Sequence, residues 1–99
     1  MIDLDKLTGF DWDAGNLEKN WNKHHVSPGE CEEIFFNLPL LLKDDVIHSQ
    51  TELRYFVLGQ TNTGRFLLIV FTVRRKKIRV ISARDMNQKE KNSYEQNNS

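Results

Sequence analysis

Short apolar runs separated by turn residues fill the second half of the chain. Residues 53–59, 65–73 and 78–83 are dominated by aliphatic and aromatic side chains, and residues 40–47 form a weaker run. Runs of this length predict β-strands, and consecutive short connections predict an antiparallel meander. Nearer the N-terminus, residues 10–13 predict a short strand or an extended entry to the fold.

The first helix signal follows that extended entry. Asp13 is placed to cap a helix in which Leu17 and Trp21 lie one turn apart on the same face. This helix is expected to end near His24 or His25, beyond which the next cap signal begins.

The second helix signal has the parts of an N-terminal capping box. Ser27 is a favoured N-cap, Pro28 suits the first helical position, and Glu30 can return a bond to the Ser27 amide. Val26 and Cys31 fit the hydrophobic staple of such a helix. The pattern therefore predicts that Cys31 lies in the core.

The elements together predict one α+β domain over residues 1–99. A weaker cap signal at Asn87 predicts a third helix through Tyr94. The expected architecture is an antiparallel β-sheet of about four to five strands, with two N-terminal helices on one face and a C-terminal helix. A chain of 99 residues fits one domain with one core.

Composition narrows the class of protein. With 38% hydrophobic and 28% charged residues the chain resembles an ordinary soluble protein, and no run approaches the ~18 apolar residues of a membrane span. The acidic N-terminus is unlike a signal peptide. The single cysteine, Cys31, cannot form an internal disulfide, which suits a reducing cytoplasm.

A register in which Gly59 faces Arg65 and Val73 faces Ile78 assigns the strand side chains to two faces. One face is apolar and is expected to pack beneath the helices: Leu53, Tyr55, Val57, Leu67, Ile69, Phe71, Val73, Ile78 and Val80. The other face is also apolar over most of its length: Phe56, Leu58, Phe66, Leu68, Val70 and Ile81. It ends in a predicted polar patch of Glu52, Arg54, Thr72 and Arg79.

Phosphodiester chemistry could use this polar patch. Arginines supply forked donors to phosphate oxygens, and a neighbouring carboxylate can accept or relay a proton. The structural alternative is a cross-strand ion pair between Glu52 and Arg79 on a solvated face. A slip of one residue in the register would send Arg79 to the opposite face.

Charge is unevenly distributed, although the formal net charge is zero. Residues 1–33 contain eight acidic residues and three lysines, whereas residues 74–99 contain eight basic residues and three acidic ones. The basic run at the second tight connection could attract phosphate or simply solvate a turn. It consists of Arg74, Arg75, Lys76 and Lys77.

The histidines do not indicate a metal site. His24 and His25 lie beside Lys23 at a predicted helix end, where a histidine can be a C-terminal cation, a general acid or base, or solvated. His48 is expected in a polar loop. The three lack the spacing of a metal-binding helix motif, and there is no second cysteine. Neither a phosphate-cradling glycine loop nor a serine or cysteine nucleophile signature appears.

Several of these motifs occur together in one known family. The chain resembles the BrnT toxins from about residue 10 to residue 95, and the set of motifs is specific in combination. The residues that carry the resemblance are Phe10-Asp11-Trp12-Asp13, Asn16, Asn20, Lys23-His24, Val26-Ser27, Arg54 with Gly59, Gly64-Arg65, Val70-Phe71-Thr72, the run from Ile78 to Arg84, Glu90 and Tyr94.

The resemblance implies a RelE-like ribonuclease fold and a cytoplasmic toxin. Such a toxin cleaves RNA without a metal or cofactor and inhibits translation until a BrnA-type ribbon-helix-helix antitoxin binds it. It contacts DNA only indirectly, through the antitoxin. The implied working set is Lys23, His24, Glu52, Arg54, Arg79 and Arg84. The expected RNA-binding residues are Arg74, Arg75, Lys76, Lys77 and Lys89.

The expected mechanism is attack of the ribose 2′-hydroxyl on the adjacent phosphate. Glu52 or His24 would act as base, while Arg54 and Arg79 stabilise the transition state and Lys23 helps to hold the backbone. Arg84 has the opposite strand parity to Arg79, so both serve one site only if the strand ends or bulges after residue 82.

One position departs from the family. His25 stands where the family commonly has glycine, at a helix end that favours a left-handed residue.

A non-enzymatic binding module is the alternative function. The apolar second face, with Phe56, Phe66, Leu68 and Ile81, would then be a protein-docking surface, and the basic end would only contact nucleic acid.

Overall fold

The computed structural model describes residues 3–45 and 52–96, which form three α-helices, five β-strands and one short 3₁₀ turn. The helices are α1 (Ala14–His24), α2 (Pro28–Phe36) and α3 (Gln88–Gln96). The strands are β1 (Gly9–Phe10), β2 (Leu41–Asp44), β3 (Tyr55–Gln60), β4 (Phe66–Arg74) and β5 (Lys77–Asp85), and the 3₁₀ turn spans Leu4–Lys6. The last two residues of the predicted 40–47 run and the loop predicted at His48 lie outside the described residues.

The strands form one sheet in the order β1-β5-β4-β3-β2. Strands β2 to β5 are the predicted antiparallel meander, and the α+β class is confirmed. The expectation of a purely antiparallel sheet is wrong, because β1 pairs in parallel with β5. The N-terminal segment runs along the outer edge of β5 in the same direction, and the Asp11 amide donates to the Ile78 carbonyl at 2.8 Å.

Both N-terminal helices begin as predicted from their caps, and α1 ends at His24, as expected. The Asn16 amide donates to Asp13 Oδ1 at 3.1 Å, and Ser27 and Glu30 form the reciprocal capping box. His25 ends α1 in the left-handed conformation, with φ 53°, which is the conformation expected at that position. Asn87 caps α3 through a bond from the Glu90 amide at 2.8 Å.

The sheet register differs from the predicted one by two residues between β3 and β4. Gly59 pairs with Leu67 rather than Arg65, since the Thr61 amide donates to the Arg65 carbonyl and closes the loop there. A shift of two residues preserves the faces. Val73 does pair with Ile78, as predicted.

The main core lies between the sheet and the two N-terminal helices. Cys31 is buried there, as predicted, and burial raises the pKa of its thiol to about 12. Leu53 was expected in this core but is 65% exposed, because it precedes β3 near a bend in the chain. The buried members are Val26, Cys31, Ile34, Val57, Leu67, Ile69, Phe71, Ile78, Val80 and Ala83.

A β-bulge divides β5. Phe71 of β4 pairs with Val80 and the preceding Val70 pairs with Ser82, which leaves Ile81 as the extra residue. The bulge lies just before Ser82 rather than after it. Ala83 can therefore face the core, while residue 84 lies on the opposite face.

Helix α1 stabilises the bulged edge through two asparagines one turn apart. Asn16 Nδ2 donates to the Val80 carbonyl at 3.3 Å, and the Ala83 amide donates to Asn20 Oδ1 at 3.2 Å. Asn20 is only 2% exposed. These side chains satisfy edge-strand groups on both sides of the bulge.

Helix α3 packs on the sheet face opposite α1 and α2, which we call the distal face. Leu58 and Leu68 of the sheet cluster there with Met86 and Tyr94. The Tyr94 hydroxyl donates to the Pro39 carbonyl at 2.7 Å. Part of the apolar second face is thus covered within the chain itself.

The β4–β5 connection predicts a simple way to stabilise the fold. It is a two-residue turn of Arg75 and Lys76, and not a loop formed by the whole basic run, because Arg74 pairs with Lys77. Arg75 and Lys76 have φ of 52° and 65°, a left-handed geometry that disfavours side chains with a Cβ. Lys76→Gly should raise the free energy of unfolding by about 1 kcal/mol, measured by urea denaturation.

Lys76→Ser is the matched control, since it removes the same charge but keeps a Cβ. A stability gain shared equally by both variants would contradict the assignment of backbone strain to this turn.

Candidate active site

A groove of about 430 Å³ crosses the distal face beneath the start of α3. Two cross-strand pairs form its apolar floor, Phe56 with Val70 and Leu58 with Leu68. We call it the distal groove; its lining is completed by Lys43, Asp45, Asn87, Lys89, Glu90 and Ser93.

Two of the predicted arginines lie level with each other at one end of this groove. Tyr55 and Val80 both pair with Phe71, so the residues one step before them, Arg54 and Arg79, flank Thr72 from the two neighbouring strands. Strand spacing puts their backbones about 10 Å apart.

Arg54 continues the line of β3. Its carbonyl accepts a bond from the Asp45 amide at 2.9 Å, and Asp45 lines the distal groove. Cross-strand neighbours share a face, and Arg54 is two residues from Phe56 of the groove floor, so alternation places it on the distal face. Arg54 and Arg79 therefore belong to one row at one end of the groove.

Carboxylates from the N-terminal segment hold Arg79. Its Nε lies 3.7 Å from Asp11 Oδ2, and its Nη2 lies 3.7 Å from Asp13 Oδ2. The Arg79 side chain is 25% exposed. The alternative of a Glu52–Arg79 ion pair is wrong, because these two carboxylates, which sequence reasoning did not connect with Arg79, are its partners.

Glu52 instead binds Arg74. Its Oε2 accepts from Arg74 Nε at 3.1 Å and from Nη2 at 2.8 Å. That hydrogen bond is the main cause that lowers the pKa of Glu52, with further lowering from Thr72 and Arg54. Glu52 is therefore ionised, and it lies close to Thr72 and Arg54 and to the β4–β5 turn.

Arg84 lies on the same face as Arg79, because the bulge reverses the strand alternation between them. It pairs with Leu68 of the groove floor. Its two Nη atoms donate to the two carboxylate oxygens of Glu90 at 2.7 and 2.8 Å. This fork raises the pKa of Arg84, lowers that of Glu90, and ties α3 to the sheet.

Lys23 and His24 do not lie with Arg54 and Arg79 on the distal face. They end α1, in the layer on the other side of the sheet, near the end of β5. Asp85, at that end, is six residues from Arg79, which corresponds to roughly 20 Å along a strand. The structure thus separates the implied working set into a distal group and an α1 group.

An arginine outside the predicted set organises the α1 group. Arg65 Nε and Nη2 donate to Asp85 at 2.7 and 3.1 Å, and Nη1 donates to Glu30 Oε2 at 3.1 Å. The same guanidinium donates to the carbonyls of His24 and His25 at 3.0 and 2.9 Å. It therefore satisfies the carboxyl end of α1 and joins it to α2 and β5.

The predicted RNA-binding residues fall in two places. Arg75 and Lys76 form the exposed tip of the β4–β5 turn, beside Lys77 and the Glu52-bound Arg74. Lys89 lies on the α3 side of the distal groove. The opposite wall of the groove contains Lys43, which was not predicted as an RNA-binding residue. Because Lys43 pairs with Phe56, the strand register was the signal that could have identified it.

Neither a metal cluster nor a membrane span occurs in the described part of the chain. Within residues 3–45 and 52–96, no three histidine, cysteine, aspartate or glutamate side chains are grouped as a metal site would require. No helix in those same segments combines the length and apolarity needed to cross a bilayer.

The fold and site define a small α+β protein whose groove is flanked by arginines suited to a polyanion. The profile of the type II toxin-antitoxin ribonuclease toxin BrnT matches residues 12–90. The chain therefore belongs to the BrnT family of ribonuclease toxins. Membership makes RNA the substrate and an antitoxin the partner, and it favours the enzyme over the non-catalytic binding module.

A solved structure shares the fold. The crystal structure of the Brucella abortus ribonuclease toxin BrnT is 19% identical to this chain, with a TM-score of 0.59. The match covers 82% of this chain and 99% of that one. No curated protein sequence matches the chain.

The Arg65 cluster predicts both a stability loss and its pH dependence. Hydrogen bonds from Arg65 lower the pKa of Asp85; for Glu30, burial works in the opposite direction, but bonds from Ser27 and Arg65 outweigh it. Arg65→Met should cost about 2 to 3 kcal/mol of unfolding free energy near neutral pH. Both carboxyls have lower pKa values in the folded protein than in the unfolded chain. The stabilisation is therefore fully present above the unfolded-state pKa values and is lost as the pH falls through the folded-state pKa values.

Urea unfolding of both proteins from neutral to acidic pH measures this effect. The difference between wild type and Arg65→Met should shrink below about pH 4, where the carboxylates become protonated. Arg75→Met, an exposed arginine in the turn, is the control. A difference in unfolding free energy that stays constant down to the lowest pH measured would contradict a stabilising role for the charge pairs of this cluster.

Proposed function

We propose that this ribonuclease cleaves RNA at the distal face without a metal ion, by attack of a ribose 2′-hydroxyl on the neighbouring phosphate. The attack breaks the bond from that phosphate to the 5′-oxygen of the next nucleotide, which leaves as a hydroxyl after it takes up a proton. The observation that carries the proposal is the position of Arg54 and Arg79 on either side of Thr72, on the face that holds the distal groove. Two forked cations from the strands on either side of β4 can both reach a phosphate seated between them.

The arginines would stabilise charge that develops on the phosphoryl oxygens. Arg79 is held at 3.7 Å by two carboxylates, a distance longer than a good charged hydrogen bond, so phosphate oxygens can compete for its donors. Preorganised donors of this kind are worth about 3 to 4 kcal/mol each. Arg84 and Lys89 would bind flanking phosphates at the opposite rim of the groove.

Glu52 is the proposed base, in preference to His24. It is ionised and lies near Arg54 and Thr72, whereas His24 ends α1 on the other side of the sheet. Lys23 and His24 would contact the RNA strand beyond the cleaved bond. Arg75, Lys76 and Lys77 would add contacts with little sequence preference and strong salt dependence.

Cleavage by the distal arginines is tested with purified protein free of antitoxin. It should degrade RNA in the presence of excess chelator, and Arg54→Ala with Arg79→Ala should lower the rate at least about 100-fold while the circular dichroism spectrum is unchanged. Lys6→Ala with Lys19→Ala removes the same charge from exposed positions and should leave the rate near wild type. A double arginine variant that still cleaves at the wild-type rate would exclude these residues.

The identity of the base is tested by paired substitutions. Glu52→Gln should lower the single-turnover cleavage rate about 100-fold, and His24→Gln should leave it within about threefold. Because the pKa of Glu52 is lowered, the wild-type rate should also persist into the mildly acidic range. The reverse order of the two variants would assign the base to His24.

The partner is proposed to be a BrnA-type ribbon-helix-helix antitoxin that acts with the toxin in the cytoplasm. The family implies an antitoxin, and growth arrest with reduced protein synthesis is the expected consequence of RNA cleavage. Co-expression with a ribbon-helix-helix protein encoded beside the toxin should restore growth and yield a stable complex. Toxicity that such a protein does not relieve would point to another antitoxin class.

A further inference from the structure

The distal groove has a feature that phosphate binding does not require. Its floor is an apolar platform made of two adjacent cross-strand pairs, Phe56–Val70 and Leu58–Leu68. Leu58 and Leu68 are buried, while Phe56 and Val70 are half-buried and thus partly open to the groove. A cavity of about 430 Å³ over such a platform is within the range of small-ligand sites.

Charged and polar groups surround this platform on two sides, and each side also has a carboxylate, Asp45 on the β2 side and the Arg84-bound Glu90 on the α3 side. Lys43 lies on the β2 side, directly across from Phe56, and Lys89 lies on the α3 side. Neither lysine forms an ion pair with any residue in the described segments. On the α3 wall, Asn87 uses its Oδ1 to cap the helix, and its NH₂ group adds a hydrogen-bond donor.

This combination suits one nucleotide unit of single-stranded RNA. A base presents a flat apolar face and a polar edge, and it carries a phosphate on either side. The platform matches the face, the α3 wall can meet the edge, and lysines on both rims match the flanking charges. An apolar peptide segment would use the platform but would leave the two lysines without anionic partners.

Resting on the proposed function, we propose that the distal groove is a nucleobase subsite, which seats the base next to the scissile phosphate between Arg54 and Arg79. The row of Lys43, Phe56, Val70 and Ser82 is the next row on the same face from the row of Arg54, Thr72 and Arg79, two residues along each strand. A base on the Phe56–Val70 pair therefore lies beside the arginine row. Val70 and Phe56 become specificity-determining positions for the base preceding or following the cut.

The subsite is tested with methyl-labelled full-length protein and nucleotides that cannot be cleaved. The four 2′-deoxynucleoside 3′-monophosphates are the probes, and abasic deoxyribose phosphate and inorganic phosphate are the controls. At least one nucleotide should shift the methyl resonances of Leu58, Leu68 and Val70, and the controls should not. Val70→Phe should weaken that binding about tenfold and alter the base preference of cleavage sites in random-sequence RNA.

Leu38→Phe is the matched variant, since Leu38 is 85% exposed and lies outside the groove. It should bind and cleave as wild type does. Absence of groove shifts with all four nucleotides, from a protein that cleaves RNA, would overturn the subsite. Groove methyl shifts that appear with the antitoxin but with none of the four nucleotides would overturn it as well. A protein that binds a nucleotide in the groove but does not cleave RNA would keep the subsite and reject the proposed function.

Discussion

The β-bulge at Ile81, held by two asparagines of α1, determines which side chains of β5 can reach the site. Without the extra residue, strict alternation along β5 would send residue 84 to the core side and residue 83 away from it. With it, Val80 and Ala83 both reach the core, while Arg79 and Arg84 share the distal face. Asn16 and Asn20 satisfy the backbone groups around the bulge, so one helix fixes both the edge and the face of β5.

The bulge orders the distal face into rows across the strands. The first row runs through Leu58, Leu68 and Arg84, the next through Phe56, Val70 and Ser82, and the last through Thr72 and Arg79, with Arg54 beside Thr72. The apolar platform thus occupies the first two rows, with Arg84 at the end of the first row and Arg54 and Arg79 in the last. The arginines of β5 are already engaged, Arg84 by Glu90 and Arg79 by Asp11 and Asp13. At the proposed site, substrate phosphates would compete with these carboxylates, and binding would be sensitive to salt.

Local signals in the sequence predict most of the fold. The capping residues Asp13 and Ser27 place both N-terminal helices, and strand periodicity places the four meander strands and the two faces of the sheet. The short parallel strand β1 is not specified as such, because two residues carry too little periodicity to show their partner. Leu53 is misplaced because alternation alone does not reveal where a strand begins.

The site is less predictable because its geometry depends on contacts between distant residues. The bulge can be stated only as a condition, since nothing local to Ile81 distinguishes a bulged strand from a regular one. The partners of Arg79 come from a segment 66 to 68 residues earlier in the chain, and charge alone makes Glu52 the simpler choice. Arg65 belongs to a family motif, but the partners of its guanidinium can be assigned only when the end of α1 and the end of β5 are known to meet.

The position of a bound scissile phosphate would decide whether the distal face is where RNA is cut. A crystal structure of the toxin with a short RNA that carries one 2′-deoxy substitution at the cleavage position would show it. This phosphate is expected on the distal face, within hydrogen-bond reach of Arg54 and Arg79. A phosphate bound instead beside Lys23 and His24, on the helical side of the sheet, would contradict cleavage at the distal face.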